Sequence, residues 1–368
     1  MKHLLTKIGA IVLCTVALSH SLSARSETRY QAALRQDRAL IQQHLYQLPV
    51  PFPARCSTKI QNMILQQMHF GKKEIEAILG RAAFYFPIFE YYLQINELPD
   101  ELKYIPFVES RLKMDALSSN GAAGLWQFMD YTAQHYRLRV DEKVDERFDP
   151  LKSTEAAVCF LSDLYSEFGD WLLVLAAYNC GPGRVKKAIR LAKSNNYWAL
   201  EKYLPKQTQH YIPAFIAATY IAKHAEKHQL KPTTFKFEAT EMRIIKIYEP
   251  LSFLTLERLS DLPYRTLKEL NPVYPQASIP ANRKGNYLLL PKATADKVKW
   301  YLAEKRLKKV IEVALSPCYP AERSVAADFP ELHRRGALPD SAIWQFWESP
   351  EQFFHSRMLA YIPRFSLR

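Results

Sequence analysis

Apolar residues recur at helical spacing through most of the first 230 positions. IQNMILQQM (60–68), EIEAILGRAAFYFPIFEYYL (74–93), TEAAVCFLSDLYSEFG (154–169), WLLVLAAYN (171–179) and HYIPAFIAATYIAKHAE (210–226) each put their large side chains three or four residues apart, the signature of amphipathic or buried helices. LWQFMDYTAQHY (125–136) reads as a further helix. Gly181-Pro182-Gly183 breaks the chain between two of these segments, because a proline after glycine ends one helix and opens another. Near Lys231 the pattern changes. MRIIKIYEP reads as a strand, SFLTLERLSDLP and YRTLKELNPVY as short helices, and NYLLLPKA as a second strand, giving a small β-α-α-β unit. KVIEVAL, from Lys309, is strand-like, and the proline- and charge-rich segment after it has no assigned role beyond packing.

One position departs from this pattern in a chemically suggestive way. Pro99-Asp100-Glu101 has the early proline and acidic first turn of a helix start. In the YIPFVESRL segment that follows, Leu102, Ile105, Glu109 and Leu112 fall on one stripe. Glu109 is therefore directed to a core or cleft, and Pro106 is expected to kink the helix. Burial penalises a charged carboxylate and moves its pKa from ~4.3 toward ~6, as a general acid at neutral pH requires. A buried glutamate paired with an arginine or a backbone amide has the same pattern, so this feature alone leaves both readings open.

Composition narrows the setting. With 368 residues, 48% hydrophobic and only 10 glycines, the chain has the make-up of an ordered globular protein. Lys2 and Lys7, an apolar run from Ile8 to about Leu18 and small residues to Ala24 form a secretory signal peptide. A lipid anchor on Cys14 is disfavoured because Leu13 stands where a small residue is wanted. Four cysteines remain after processing: Cys56, Cys159, Cys180 and Cys318. They lack metal-ligand spacing such as CxxC, and both disulfides and buried thiols are open to them. The net charge of +13 points to an acidic partner. The basic residues are scattered, with no nucleic-acid-binding signature, so an anionic wall polymer or membrane surface is the expected partner class.

Further motifs follow Glu109 in a fixed order: SSNGAAGLWQFM from Ser118 to Met129, AYNCGPGRV from Ala177 to Val185, and HYIP from His210 to Pro213. Together with LPDELKYIPFVES, they closely resemble the catalytic domain of lytic murein transglycosylases of the soluble type, related to goose-type lysozyme, and most of all the membrane-bound D branch. The resemblance is strong from about Arg81 to Ala225. It implies that Glu109 is the sole catalytic acid/base. It implies that Ser118 and Gln127 line the sugar cleft, that Tyr178 and Asn179 form the Ala-Tyr-Asn motif, and that Tyr211 is the late tyrosine facing the glutamate. Core packing is the competing reading for the tyrosines, as it is for Trp126, which also has the shape to stack on a sugar. Cys180 replaces the alanine common after Ala-Tyr-Asn; with Cys159 it forms either a disulfide or two small buried side chains. The β-α-α-β unit resembles a degenerate LysM peptidoglycan-binding module through LKELNP, but EPLSF replaces the usual Gly-Asp-Thr turn, so glycan binding and a structural appendage are both open there.

The expected fold is mainly α: a lysozyme-like helical catalytic domain followed by a small α+β, LysM-like unit. The expected segments are a signal peptide (1–24), a helical lead-in (25–85), the catalytic domain (86–230), the LysM-like unit (231–300) and a tail (301–368). The implied activity is non-hydrolytic cleavage of peptidoglycan glycan strands to 1,6-anhydro ends. No cofactor or metal and no nucleic acid is expected. Association with the cell envelope and an exported, periplasmic location fit the leader. A hydrolytic muramidase on the same fold and a catalytically silent wall-binding protein are the alternatives.

Overall fold

A computed structural model of the chain describes residues 35, 37–48, 50–52, 57–69, 71–233 and 241–314, with side chains in the last helix followed to residue 305. The expected leader with Cys14, together with Cys56, Cys318 and the residues beyond 314, lies outside the described residues. The described chain is mainly α, with its strands confined to the segment after Met242. It forms two compact units: residues up to Glu76 with Asp163–Leu230, and Ala77–Ser162 with residues from Lys231 onward.

The first unit is helical. After a helical stretch over 37–45 come α1 (Thr58–His69) and, later in the chain, α6 (Trp171–Cys180), α7 (Pro182–Ala192), α8 (Tyr197–Leu200) and α9 (Lys206–Lys223). α9 packs against α1 and α6. Residues 171–177 of α6 are all buried, so this helix runs through the core. Asp170 caps it by accepting the Leu173 N–H at 3.0 Å. Gly181, at φ 86°, ends it, and Pro182 opens α7, the break that Gly181-Pro182 predicts.

Pro213 sits inside α9. Its ring cannot donate to the carbonyl four residues back, that of Gln209. Lys59 of α1 fills this gap, donating Nζ to the Gln209 carbonyl at 2.6 Å.

The second unit contains most of α2 (Lys72–Ile95), a 3-10 turn (Asp100–Tyr104), α3 (Ile105–Glu109), α4 (Asp130–His135), a 3-10 turn (Glu146–Phe148) and the larger part of α5 (Pro150–Phe168). It also contains the β-α-α-β segment: β1 (Met242–Ile247), β2 (Leu251–Ser252), α10 (Phe253–Leu259), α11 (Tyr264–Leu270), β3 (Ser278–Ile279), β4 (Asn286–Pro291) and α12 (Lys292–Ala314). β1 and β4 pair antiparallel, with Ile244 opposite Leu289. Asn271, the asparagine of LKELNP, is buried and locks α11 to β4: its Nδ2 donates to the Leu267 and Leu289 carbonyls, and its Oδ1 accepts the Leu289 N–H. The Tyr274 hydroxyl donates to the Tyr287 carbonyl.

Three expectations are corrected. KVIEVAL is not a strand: residues up to Ala314 continue α12, since a helix already started at Lys292 adds one hydrogen bond per residue and β-branched residues oppose it only weakly. Residues 125–129 are not helix: 125–127 are turn, with Gln127 at φ 51°, Phe128 is in a bridge and Met129 is extended, so α4 begins only at Asp130. Pro106 does not kink a long helix. It lies in the first turn of α3, where its missing N–H is no loss, after the 3-10 turn has ended at Tyr104.

Candidate active site

Glu109 is the last residue of α3 and is half-buried. The helix stops there because Arg111 and Leu112 both turn to positive φ, 54° and 56°. Leu112 is therefore not on the helical stripe, although it is as fully buried as Leu102 and Ile105. The end of α3 converges on one atom, the Pro106 carbonyl, which accepts from the Ser110 N–H at 3.1 Å, the Ser110 hydroxyl at 3.0 Å and the Leu112 N–H at 3.1 Å. Ser110, the serine that follows the glutamate, thus fixes the exit of its helix.

The start of this segment is held by Lys103, fully buried and ion-paired to Glu90 at 2.5 Å and Asp100 at 2.6 Å. Its ammonium also lies 5.5 Å from the Phe86 ring centroid. A buried ammonium is tolerable only when so compensated. Nothing in LPDELKYIP singles Lys103 out; its role depends on Glu90, thirteen residues earlier.

The Gly-rich loop is built by backbone pairing. Ala123 bridges to both Leu117 and Phe128, and the Gly124 N–H donates to the Ala116 carbonyl at 2.8 Å. Ser118 accepts the Ala122 N–H on its hydroxyl at 2.9 Å. Gln127 donates Nε2 to the carbonyls of Gly124 at 2.8 Å and Ala116 at 3.1 Å. Both expected sugar-lining residues are half-exposed and also help to shape their own loop. Gly124 is obligatory: at φ 78°, a Cβ there would lie 1.8 Å from the Arg147 carbonyl oxygen.

Arg147 and Asp145, which the sequence reading passed over, clamp this loop. Arg147 forks onto Asp145 through Nε at 2.9 Å and Nη2 at 2.7 Å, and its Nη1 reaches the carbonyls of Gly121 at 2.8 Å and Phe128 at 3.3 Å. The Asp145 carboxylate holds the guanidinium pKa above its usual value. Trp126 is fully buried, its Nε1 donating to Thr154 at 2.9 Å, and so belongs to the core rather than to a sugar face.

The other carboxylates of the stretch have local structural positions. Asp115 is exposed. Asp130 opens α4 and accepts from Gln134 at 2.8 Å. Asp149 is buried, and desolvation lifts its pKa to about 6. That value would suit an acid catalyst, but its Oδ1 caps α5, accepting the Leu151 and Lys152 N–H groups at 2.9 Å each.

Tyr178, Asn179 and Tyr211 belong to the first unit. Tyr178 and Asn179, both half-buried, close α6, and Tyr211 is buried on α9. Thr208, one turn before Tyr211 and fully buried, donates its hydroxyl to Asn179 Oδ1 at 2.9 Å, tying the two motifs together. Cys180 and Cys159 are not joined in a disulfide, and Cys159 is exposed rather than buried. Burial raises the Cys180 pKa. Among the described residues, no helix is long and apolar enough to cross a membrane, and no cluster of three or more His, Cys, Asp or Glu side chains is arranged to hold a metal.

Two family models match this chain. The first, the transglycosylase SLT domain, spans residues 86–201 and takes in Glu109, the Gly-rich loop and the Ala-Tyr-Asn motif. The chain carries an SLT transglycosylase domain. The second, the LysM-like domain of lytic transglycosylase MltD, spans 241–306 and coincides with the β-α-α-β segment and the start of α12. The chain is similar to membrane-bound lytic murein transglycosylase D of Escherichia coli strain K12, with 32% identity over 221 residues, 58% of this chain and 48% of that protein. It thus spans about half the length of the curated relatives it matches in this branch. The solved 70 kDa soluble lytic transglycosylase of Escherichia coli is 21% identical, with 50% of this chain and 33% of that one covered, at a TM-score of 0.36.

Proposed function

We propose that the protein is a peptidoglycan lytic transglycosylase in which Glu109 alone acts as acid and then base. The observation that carries this reading is the position of Glu109 within the SLT domain: half-buried, at the end of a short helix whose two ends are fixed by Lys103 and by the Pro106 carbonyl. In the first step the Glu109 carboxyl protonates the oxygen joining N-acetylmuramic acid to N-acetylglucosamine. The bond from that oxygen to the anomeric carbon breaks, and the acetamido oxygen of the muramoyl residue stabilises the positive charge. In the second step the Glu109 carboxylate takes the proton of the muramoyl 6-hydroxyl, whose oxygen bonds to the anomeric carbon. The product is a 1,6-anhydro end, and no water is consumed. Tethering the nucleophile to the substrate makes this step effectively unimolecular, and it leaves no task for the second carboxylate of an ordinary glycosidase.

Ser118 and Gln127 contact the glycan from their loop, and Tyr178, Asn179 and Tyr211 hold or polarise the acetamido group. The substrate is the peptidoglycan strand, and the protein acts in the periplasm or at the cell envelope. The experiment is turnover of purified sacculi by the mature chain and by Glu109→Gln, followed as soluble muropeptide release. Loss of about a thousandfold or more is expected, since the one proton-transfer group is removed. Near-normal release by Glu109→Gln would overturn the assignment.

A further inference from the structure

The hairpin between the Gly-rich loop and α5 belongs to two structures at once. Its two arms meet in an isolated antiparallel bridge between Val140 and Asp145. Its turn is closed by Asp141, whose Oδ1 accepts the N–H groups of Lys143 at 2.8 Å and Val144 at 2.9 Å. Its base is closed by the Glu146 N–H donating to the Arg139 carbonyl and the Arg139 N–H donating to the Glu146 carboxylate, both at 2.8 Å. The tip places Val144, 1% exposed, in the core of the LysM-like segment with Ile245, Val273, Tyr274 and Leu288, and Phe148 packs against the same cluster. The Asp145 N–H then donates to the Val273 carbonyl at 2.9 Å.

From the other side of the same three residues, Arg147 holds the loop. Its guanidinium is fixed by the Asp145 carboxylate and donates to the carbonyls of Gly121 and Phe128, which bracket Ala123 and Gly124. The path from LysM-like core to loop thus runs through the packing of Val144, the Asp145–Val273 backbone hydrogen bond, the Asp145–Arg147 fork and the Arg147 side-chain bonds to two loop carbonyls. The pair is largely buried, with side chains 10% exposed. A buried ion pair gives little net stability over an apolar pair of the same shape, whereas a bidentate fork fixes direction as well as distance. Its value here is geometric.

We infer that the LysM-like segment serves as a prop for the Gly-rich loop, with Arg147 as the positioning residue through which the LysM-like core sets how Ser118 and Gln127 grip the glycan. The inference rests on the reading of that loop as glycan-lining. It assigns the LysM-like segment a role in the catalytic domain's own substrate affinity, whether or not the segment binds a glycan itself. Trimming the hairpin tip inside the LysM-like core should loosen the Gly-rich loop.

The test uses the full mature chain with Val144→Ala, Val144→Ile and Arg147→Lys, measured by hydrogen exchange and by kinetics on a soluble glycan fragment. Arg147→Lys, which breaks the fork, is expected to speed exchange of the Ala123, Gly124 and Phe128 amides about tenfold, the effect of one lost hydrogen bond, and Val144→Ala, which removes core packing, to speed the same amides, with exchange in α9 unchanged. KM should rise about fivefold or more while kcat moves less than twofold, the mark of weakened uniform binding. Val144→Ile should behave as wild type. Unchanged loop exchange in Val144→Ala and Arg147→Lys would overturn the inference, as would faster exchange at unaltered KM. If the wild-type chain cleaves nothing, the functional reading fails by itself; loop exchange then decides the prop, supported by deprotection and overturned by none.

Discussion

Lys59 Nζ lies 2.6 Å from the carbonyl of Gln209, the carbonyl that Pro213 leaves without its helical donor. A lysine on α1 thereby completes the ladder of α9 just before Tyr211. Lys59→Met should destabilise the first unit by about 1 kcal/mol, the low end for an orphaned acceptor, because the lysine side chain is 40% exposed and water can replace part of the bond. Denaturant unfolding checks the magnitude, and faster amide exchange at the start of α9 checks the location.

The two loop glycines should respond differently to the same substitution. Gly121→Ala, at φ 84° with open space around it, should cost about 1 kcal/mol from backbone strain alone. Gly124→Ala adds a Cβ 1.8 Å from the Arg147 carbonyl oxygen. It should displace the loop and reduce turnover at least tenfold more than Gly121→Ala does. Equal effects on stability and turnover would contradict the close approach of Arg147 to Gly124.

Asp149 predicts one pH dependence of stability. Its pKa rises from 3.8 to about 6 in the fold, so the native state binds the extra proton. Stability from this group is full below about pH 4 and is lost as pH rises through 6, by at most about 3 kcal/mol. Asp149→Asn keeps an amide oxygen for the cap and should remove this loss. Unfolding of both proteins at pH 4 and pH 7 measures it; a parallel response would count against a desolvated carboxyl.

Histidines of the first unit predict the opposite slope. His44 and His224 stack with ring centroids 4.6 Å apart, beside His228 and Lys227. Burial, and then the neighbouring positive groups, lower the His224 pKa from 6.5 to about 4. The unfolded chain therefore binds the proton first, and stability is lost as pH falls from 6.5 toward 4. Protection factors of amides in α9, corrected for the intrinsic pH dependence of exchange, should fall over that window, and His224→Phe should flatten the response.

Much of this was legible in local sequence. The Gly181-Pro182 break, the β-α-α-β order from Met242 and the helix start at Pro99-Asp100-Glu101 rest on backbone preferences that act within a few residues. Glu109, which the apolar stripe placed toward a core or cleft, is half-buried, and Leu112 reached its burial by a left-handed turn rather than by helix. The contacts that hold the candidate site were not legible. Lys103 with Glu90, Arg147 with Gly121 and Thr208 with Asn179 join residues 13, 26 and 29 positions apart. In KVDERFD, Arg147 reads as one more solvated charge. Periodicity also failed at Leu125–Met129, where helical spacing belongs to a turn that Gln127 enters at positive φ.

The most direct test of the central claim is the mass of the muropeptides that the protein releases from purified sacculi. The account predicts products whose muramoyl ends are lighter by one water than those left by hydrolysis, formed by the wild-type chain and absent with Glu109→Gln. Products carrying the full mass of a reducing end would show that water, rather than the 6-hydroxyl, meets the anomeric carbon, and would contradict it.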